Sequence, residues 1–268
     1  MGADPYVLFA PPGASDLPLG DLAGPLGCSA YDLRLRLRDD IPALLATDLD
    51  EQLARDLAAR VRRGGSYLLA CRQIPLFRPF DVQRRVQPRI DDGALVLQRD
   101  DGQRIACGEI QLVVYSRTTS RRVETETQTQ KKLSMARTLA AGGLPMHKKT
   151  EVRTERWDGV AEVERFYVFA GRGVEPAGEL ACEQIDFAVL GDERDVSLTA
   201  NVQKLRALLQ SRCAEAQHDD RLFAPGATTV TGRYAGLYKA AGVPVVLARQ
   251  LRMLQLSGWY AASEPQGE

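Results

Sequence analysis

Acid–base or metal chemistry has few places to start in this chain. Its histidines are His147 and His218, and each needs a carboxylate or thiol nearby in space to act. His218 is followed by Asp219 and Asp220, a run that reads as solvated polar residues after a helix rather than a ligand set. The five cysteines, Cys28, Cys71, Cys107, Cys182 and Cys213, are odd in number, widely spaced and never in C-x-x-C order. That argues against a disulfide framework or a zinc ribbon and fits a reducing cytoplasm. Cys71 in SYLLACR and Cys107 in RIACGEI are expected as small buried hydrophobes. No serine lies in a G-x-S-x-G elbow, neither phosphate-cradling glycine motif occurs, and Gly142 and Gly143 lead into Leu144 and Pro145 rather than a helix start. Asp91 with Asp92 and Asp100 with Asp101 precede glycines, where turn geometry accounts for them. The expectation is no catalytic residue, no metal ligand and no cofactor.

The positive feature is basic. Arg72, Arg78, Arg84, Arg85 and Arg89 crowd one segment opposed only by Asp81, and Arg117, Arg121, Arg122, Lys131, Lys132, Lys148 and Lys149 follow. Gathered on one surface, the five arginines from Arg72 to Arg89 form a patch for an anion or a partner. The competing reading pairs the cations with Glu124, Glu126, Glu151 and Glu155 across neighbouring strands. Over the whole chain 35 Lys and Arg balance 35 Asp and Glu, so no global field draws nucleic acid or anionic lipid. Aromatic residues are 6% of the chain and rarely interleave with the cations, which speaks against nucleic-acid binding.

These residues are carried on mixed helical and extended patterns. Tyr6 to Ala10 reads as a buried strand closed by Pro11, Pro12 and Gly13. Leu17, Leu19, Leu22 and Leu26 suggest a short helix, and Ser29 caps a second one running to Arg38. Ile41 to Thr47 suits a strand. Asp48 or Asp50 then caps a helix with Leu49, Leu53, Leu57 and Val61 on one face, stopped by Arg62, Arg63, Gly64 and Gly65 ahead of a strand from Ser66 to Arg72. Ile74 to Gln87 reads as a linker running into a strand. ALVLQR and QRIACGEIQLVVYSR form a hairpin. Ser116 to Gln130 has β-branched residues at alternate positions, as in a solvent-facing edge strand. KKLSMARTLAAGGLPMHKK suggests one helical turn, EVRTERWDGVAEVERFYVFAG a pair of strands turning at Asp158 and Gly159, and Leu180 to Leu190 another strand. A helix over 198–216 carries Val202, Leu205, Leu208 and Leu209. Helices between Tyr234 and Ser257 follow, with Pro244 in a first turn.

The order strand, helix, helix, strand, helix, strand, ending in DEQLARDLAARVRRGGSYLLACR, resembles the C-terminal domain of the bacterial ribosomal stalk protein. That family docks translation factors through lysine-rich helices. The matching helix here, LGDLAGPLG, has no lysine, so the resemblance carries the fold and not the partner. The β-rich remainder closed by an amphipathic helix resembles the pleckstrin-homology-like fold, which implies basic loops able to meet anionic head groups. The stretch from Leu144 into the sheet-then-helix ending also resembles a group of uncharacterised bacterial proteins.

The expected fold class is therefore α+β: a small βααβαβ domain over 1–73, an antiparallel β-rich, pleckstrin-homology-like domain over 74–235 with a capping helix over 198–216, and C-terminal helices and a tail over 236–268. MGADPYVLFAPPG lacks a secretory pattern, and Val243 to Trp259 carries Arg249 and Arg252, unlike a membrane span. The expectation is a cytoplasmic, non-enzymatic interaction or scaffold protein whose partner is another protein, with no nucleic acid and no transmembrane segment. The alternatives are peripheral contact with anionic lipid through the β-rich domain, or an enzyme of unfamiliar type with a cleft near Pro75 to Pro79.

Overall fold

The computed structural model describes residues 4–133, 147–224, 226–228 and 235–259, with the backbone alone over 119–133 and 147–161. The protein is α+β, with antiparallel sheets and C-terminal helices. By its contacts the chain divides into a larger unit, 1–118 with 163–268, and a smaller one, 119–162.

In the larger unit, β1 (Tyr6–Ala10), α1 (Leu19–Ala23), α2 (Ala30–Arg34), β2 (Ala43–Leu49), α3 (Glu51–Arg63) and β3 (Leu69–Arg72) follow the expected order. Their sheet runs β2-β1-β3, with β1 antiparallel to both neighbours. Every residue of β1 is buried because both faces are covered. Tyr6, Leu8 and Ala10 pack with Ala54, Leu57, Ala58 and Val61 of α3, while Val7 and Phe9 enter a second core on the opposite face. That is why this strand reads as a continuous apolar run without polar alternation.

Ser29 caps α2 with a full capping box: its hydroxyl accepts from the Asp32 N–H at 3.1 Å. The helix ends at Arg34 rather than Arg38. The Arg38 carbonyl instead accepts from the Gly13 N–H at 3.2 Å, which ties this segment to the turn after β1. Asp50, not Asp48, caps α3, accepting from Gln52 N–H at 2.8 Å and Leu53 N–H at 3.3 Å. Leu49 belongs to β2. Gly64 closes α3, and Gly65 takes φ +88°, a conformation that favours glycine.

The expected linker folds. Gln73–Phe77 is α4, with Pro75 tolerated in its first turn and Leu76 buried. Beyond it, β4 (Val86–Asp91), β5 (Ala94–Arg99) and β6 (Arg104–Ala106) form an antiparallel sheet. Asp92 (φ +49°) and Gly93 (φ +79°) make the β4–β5 turn, the left-handed pair that suits a tight hairpin.

β7 (Ile110–Leu133), β8 (His147–Ala170), β9 (Gly178–Ala181) and β10 (Gln217–Asp219) form a sheet in the order β10-β7-β8-β9. β8 continues without interruption through Asp158 and Gly159, where a turn was expected. Its neighbour in the sheet is β7, and strand pairing outweighs a local turn preference. The helical turn expected within KKLSMARTLAAGGLPMHKK lies largely outside the described residues. The expected strand from Leu180 is also short: 3-10 turns replace it after Ala181, the second capped by Asp186, which accepts from Ala188 N–H at 3.1 Å.

α5 (Leu198–Arg212) buries Val202, Leu205 and Leu209, and α6 (Ala235–Ala241) and α7 (Val243–Leu256) follow. Alternate residues of the paired strands serve two cores. Leu112, Val114, Tyr167 and Phe169 pack in one cluster with Val7, Phe9 and the buried residues of α7. Val113, Tyr115, Phe166 and Val168 pack with the buried stripe of α5. Residues of the first sheet, the β7–β8 strands and the C-terminal helix thus share one core, and α7 is buried almost all round. That explains a helix with hardly any polar face. Among the described residues no helix is long and apolar enough to cross a membrane.

Candidate functional site

The five arginines singled out in the sequence meet different partners, three of them along the segment from Pro176 to Val189. Arg72 ends β3 directly opposite Tyr6 of β1. Arg78 is exposed, and its carbonyl accepts from the guanidinium of Arg249. Arg84 donates to the Pro176 carbonyl at 3.1 Å. Arg85 donates to Gln184 Oε1 at 2.7 Å and lies 3.6 Å from Glu179, a buried carboxylate shared with Arg165 at 3.5 Å. Burial pushes the Glu179 carboxyl above its ordinary range, while the two arginines pull it back. Arg89 is exposed beside a cleft of about 460 Å³ that also includes Ile90, Asp186 and Val189. Of the later cations, Arg117 pairs with Glu164 at 2.8 Å; the side chains of 119–161 are not described.

Sequence reasoning missed the two arginines buried deepest. Arg249 donates from Nη1 to the Leu76 carbonyl at 3.0 Å and to that of Arg78, and from Nη2 to Glu175 at 2.7 Å. Arg252 donates to the carbonyls of Gly171 and Gly173 and to Gln111. Both bind irregular backbone at the ends of α4 and β8 to the central helix. The available signal was two arginines within an otherwise apolar helical run.

His218 also departs from expectation. It lies in β10, which pairs in parallel with Leu112, Val113 and Val114, so the run after the helix is built into the sheet and Asp219 is buried. His218 Nε2–H donates to the Cys213 carbonyl at 3.1 Å, which leaves Nδ1 to accept from the Tyr115 hydroxyl at 2.7 Å. Burial lowers the His218 pKa and raises that of Tyr115. Arg206 lies over the rings of Tyr115 and Phe223 and pairs with Asp220 at 2.9 Å. A cleft of about 540 Å³ beside this cluster is lined by Asp39, Asp40, Arg117, Asp220, Arg221 and Phe223. With both ring nitrogens of His218 engaged and the Tyr115 phenol held protonated, the cluster fastens β10 and α5 to β7 rather than presenting a base to a substrate.

The cysteine reading needs correction. Cys107 and Cys213 are joined as a disulfide with Cα atoms 4.8 Å apart, because the start of β7 and the end of α5 meet over one core. Cys71 is buried as a thiol, and desolvation pushes its pKa up to about 12. Among the described residues no group of three potential metal ligands comes together.

The polar strand expected over Ser116 to Gln130 is the middle of β7. β10 meets only Leu112 to Val114 on one edge of this strand, and β9 meets only Arg165 to Val168 of β8. Thr228 covers one further point, donating to the Arg117 carbonyl at 3.1 Å. Through 119–133 and 147–162, β7 and β8 have no third strand among the described residues. At about 3.3 Å per residue, each leaves an edge on the order of 50 Å. Protein-family models, curated proteins and solved structures yield no match to this chain.

Proposed function

We propose that this is a non-enzymatic interaction protein that binds another protein by strand addition along the β7–β8 ribbon. The observation that carries the reading is a mismatch of strand lengths. β7 and β8 are 24 residues each, yet their outer neighbours in the sheet span three and four. Backbone N–H and C=O groups on an unpaired edge seek partners, and a two-stranded ribbon is marginal by itself in water. An extended segment of another chain satisfies both demands. Val123, Thr125, Thr127 and Thr129 favour extended backbone, and the charges between and around them limit indiscriminate pairing of the free edge.

Proline tests the reading, since it removes a backbone donor. N–H groups of successive strand residues point to opposite edges, so Thr127→Pro and Gln128→Pro differ in which edge they damage. Partners are captured from the native cell with wild type and both variants, and the complexes are sized by gel filtration. The expected outcome is a partner lost with the variant that blocks the outer edge. A strictly monomeric wild type without a partner, or a partner retained equally by both variants, refutes strand addition.

A further inference from the structure

A cleft of about 490 Å³ lies between α3 and β3, far from any part of the ribbon in sequence. Arg55, Ala58, Ala59 and Arg62 line one side of it, at the i, i+3, i+4, i+7 spacing that places them on one helical face. The two alanines keep the space between the arginines open. Arg72 faces them from β3, brought there because the β1–β3 register sets it directly opposite Tyr6. On this face of the sheet the floor is Ala70 with the backbone on either side of it, since Leu69 and Cys71 turn into the core beneath, and no acidic residue lines the cleft.

The cations here are partly neutralised, Arg55 and Arg72 both by Glu51 and Arg72 also by Asp4. Arg55 pairs with Glu51 at 2.6 Å across an exposed turn of α3, whereas Arg62 and Arg72 form no ion pair with a described residue. Arg55 donates to the Tyr6 hydroxyl at 3.3 Å, and the β1–β3 register sets Arg72 beside the same residue. Each of these guanidiniums keeps most of its five N–H donors uncommitted. Arg62 has an additional role at the C-terminal end of α3, where its charge suits the helix dipole, but Arg72 has none of that kind.

We infer that this cleft binds a phosphate monoester. Converging guanidinium forks match the several oxygens of a phosphate dianion better than the two of a carboxylate. The cleft has the volume of a small-molecule site, and Ala58, Ala59 and Ala70 leave room for the organic part of the ester. A soluble ester and a monoester-bearing lipid head group offer this cleft the same chemistry.

The experiment titrates the full chain by calorimetry with phenyl phosphate and with inorganic phosphate, and measures flotation with vesicles containing phosphatidic acid or, as control, phosphatidylserine. Phenyl phosphate is expected to bind saturably, more tightly than inorganic phosphate and more weakly as salt is raised. Arg72→Gln should weaken it by about tenfold or more, the loss of a charge-assisted hydrogen bond. Arg60→Gln, on α3 but outside the cleft lining, should leave it unchanged, and circular dichroism confirms that both variants fold. Flotation with phosphatidic acid alone, abolished by Arg72→Gln, assigns the same chemistry to a lipid source. The inference is overturned by no saturable binding in any arm, by equal flotation with both lipids, or by equal losses in Arg72→Gln and Arg60→Gln.

Discussion

Replacing Arg249 with methionine tests whether buried arginines hold this fold together. Arg249 is fully buried, and methionine matches much of its aliphatic stem, so little cavity energy is involved. What the variant loses is specific: the carbonyls of Leu76 and Arg78 no longer have a donor. An unsatisfied buried carbonyl costs about 1–3 kcal/mol; that of Leu76 is buried and that of Arg78 only partly so, which puts the pair at roughly 2–4 kcal/mol. Glu175 keeps a side chain 26% exposed and can turn to water, which adds little. Against the loss stands relief of desolving a guanidinium whose Nε has no partner among the described residues, about 1–2 kcal/mol. The net expectation is a destabilisation of about 2 kcal/mol, or a Tm lower by about 6 °C for a chain of this size. Buried ion pairs can often be exchanged for apolar residues without loss, but two of the acceptors here are main-chain groups that no side-chain substitution removes. Urea unfolding followed by far-UV circular dichroism gives the measurement, with the midpoint falling and the slope unchanged. Arg249→Lys, which keeps the charge but has fewer directed donors, should fall between. A methionine variant as stable as wild type would show that water or repacking satisfies the two carbonyls, and the argument would fail.

The Cys107–Cys213 bond closes a loop with a sequence separation of 106; chain entropy sets its stabilisation at up to about 4–5 kcal/mol. Reductant and Cys213→Ser should therefore lower Tm by a similar amount, on the order of 10 °C, while reductant leaves the variant unaffected; labelling of Cys107 by a thiol reagent in the unreduced protein would refute the pairing. His218 has a folded pKa depressed below 6.5 by burial, so the unfolded chain takes up its proton first. The stability from neutral His218 is complete above that value and is lost as pH falls through the folded pKa. Urea midpoints measured from about pH 8 to pH 5 should therefore fall more steeply for wild type than for His218→Gln, and equal slopes would contradict the role given to this residue.

Local signals in the sequence determined the elements whose cause is itself local. Ser29 and Asp50 announce their helices because a capping side chain needs only the next three residues, and Asp92 with Gly93 announces a turn for the same reason. The α+β class follows from such signals in series. Tertiary structure decided the rest wherever a distant partner overrode a local preference. β8 runs straight through Asp158 and Gly159 because β7 lies beside it, and His218 enters a sheet because β10 pairs with residues more than a hundred positions earlier in the chain. The arginines show the same limit most plainly. Arg84, Arg85 and Arg89 meet the one segment from Pro176 to Val189, whereas Arg55, Arg62 and Arg72 come together only because α3 packs on the face of β1 that carries Tyr6. A charge's neighbours in sequence lie within a few residues, whereas its neighbours in space are chosen by which apolar faces bury each other.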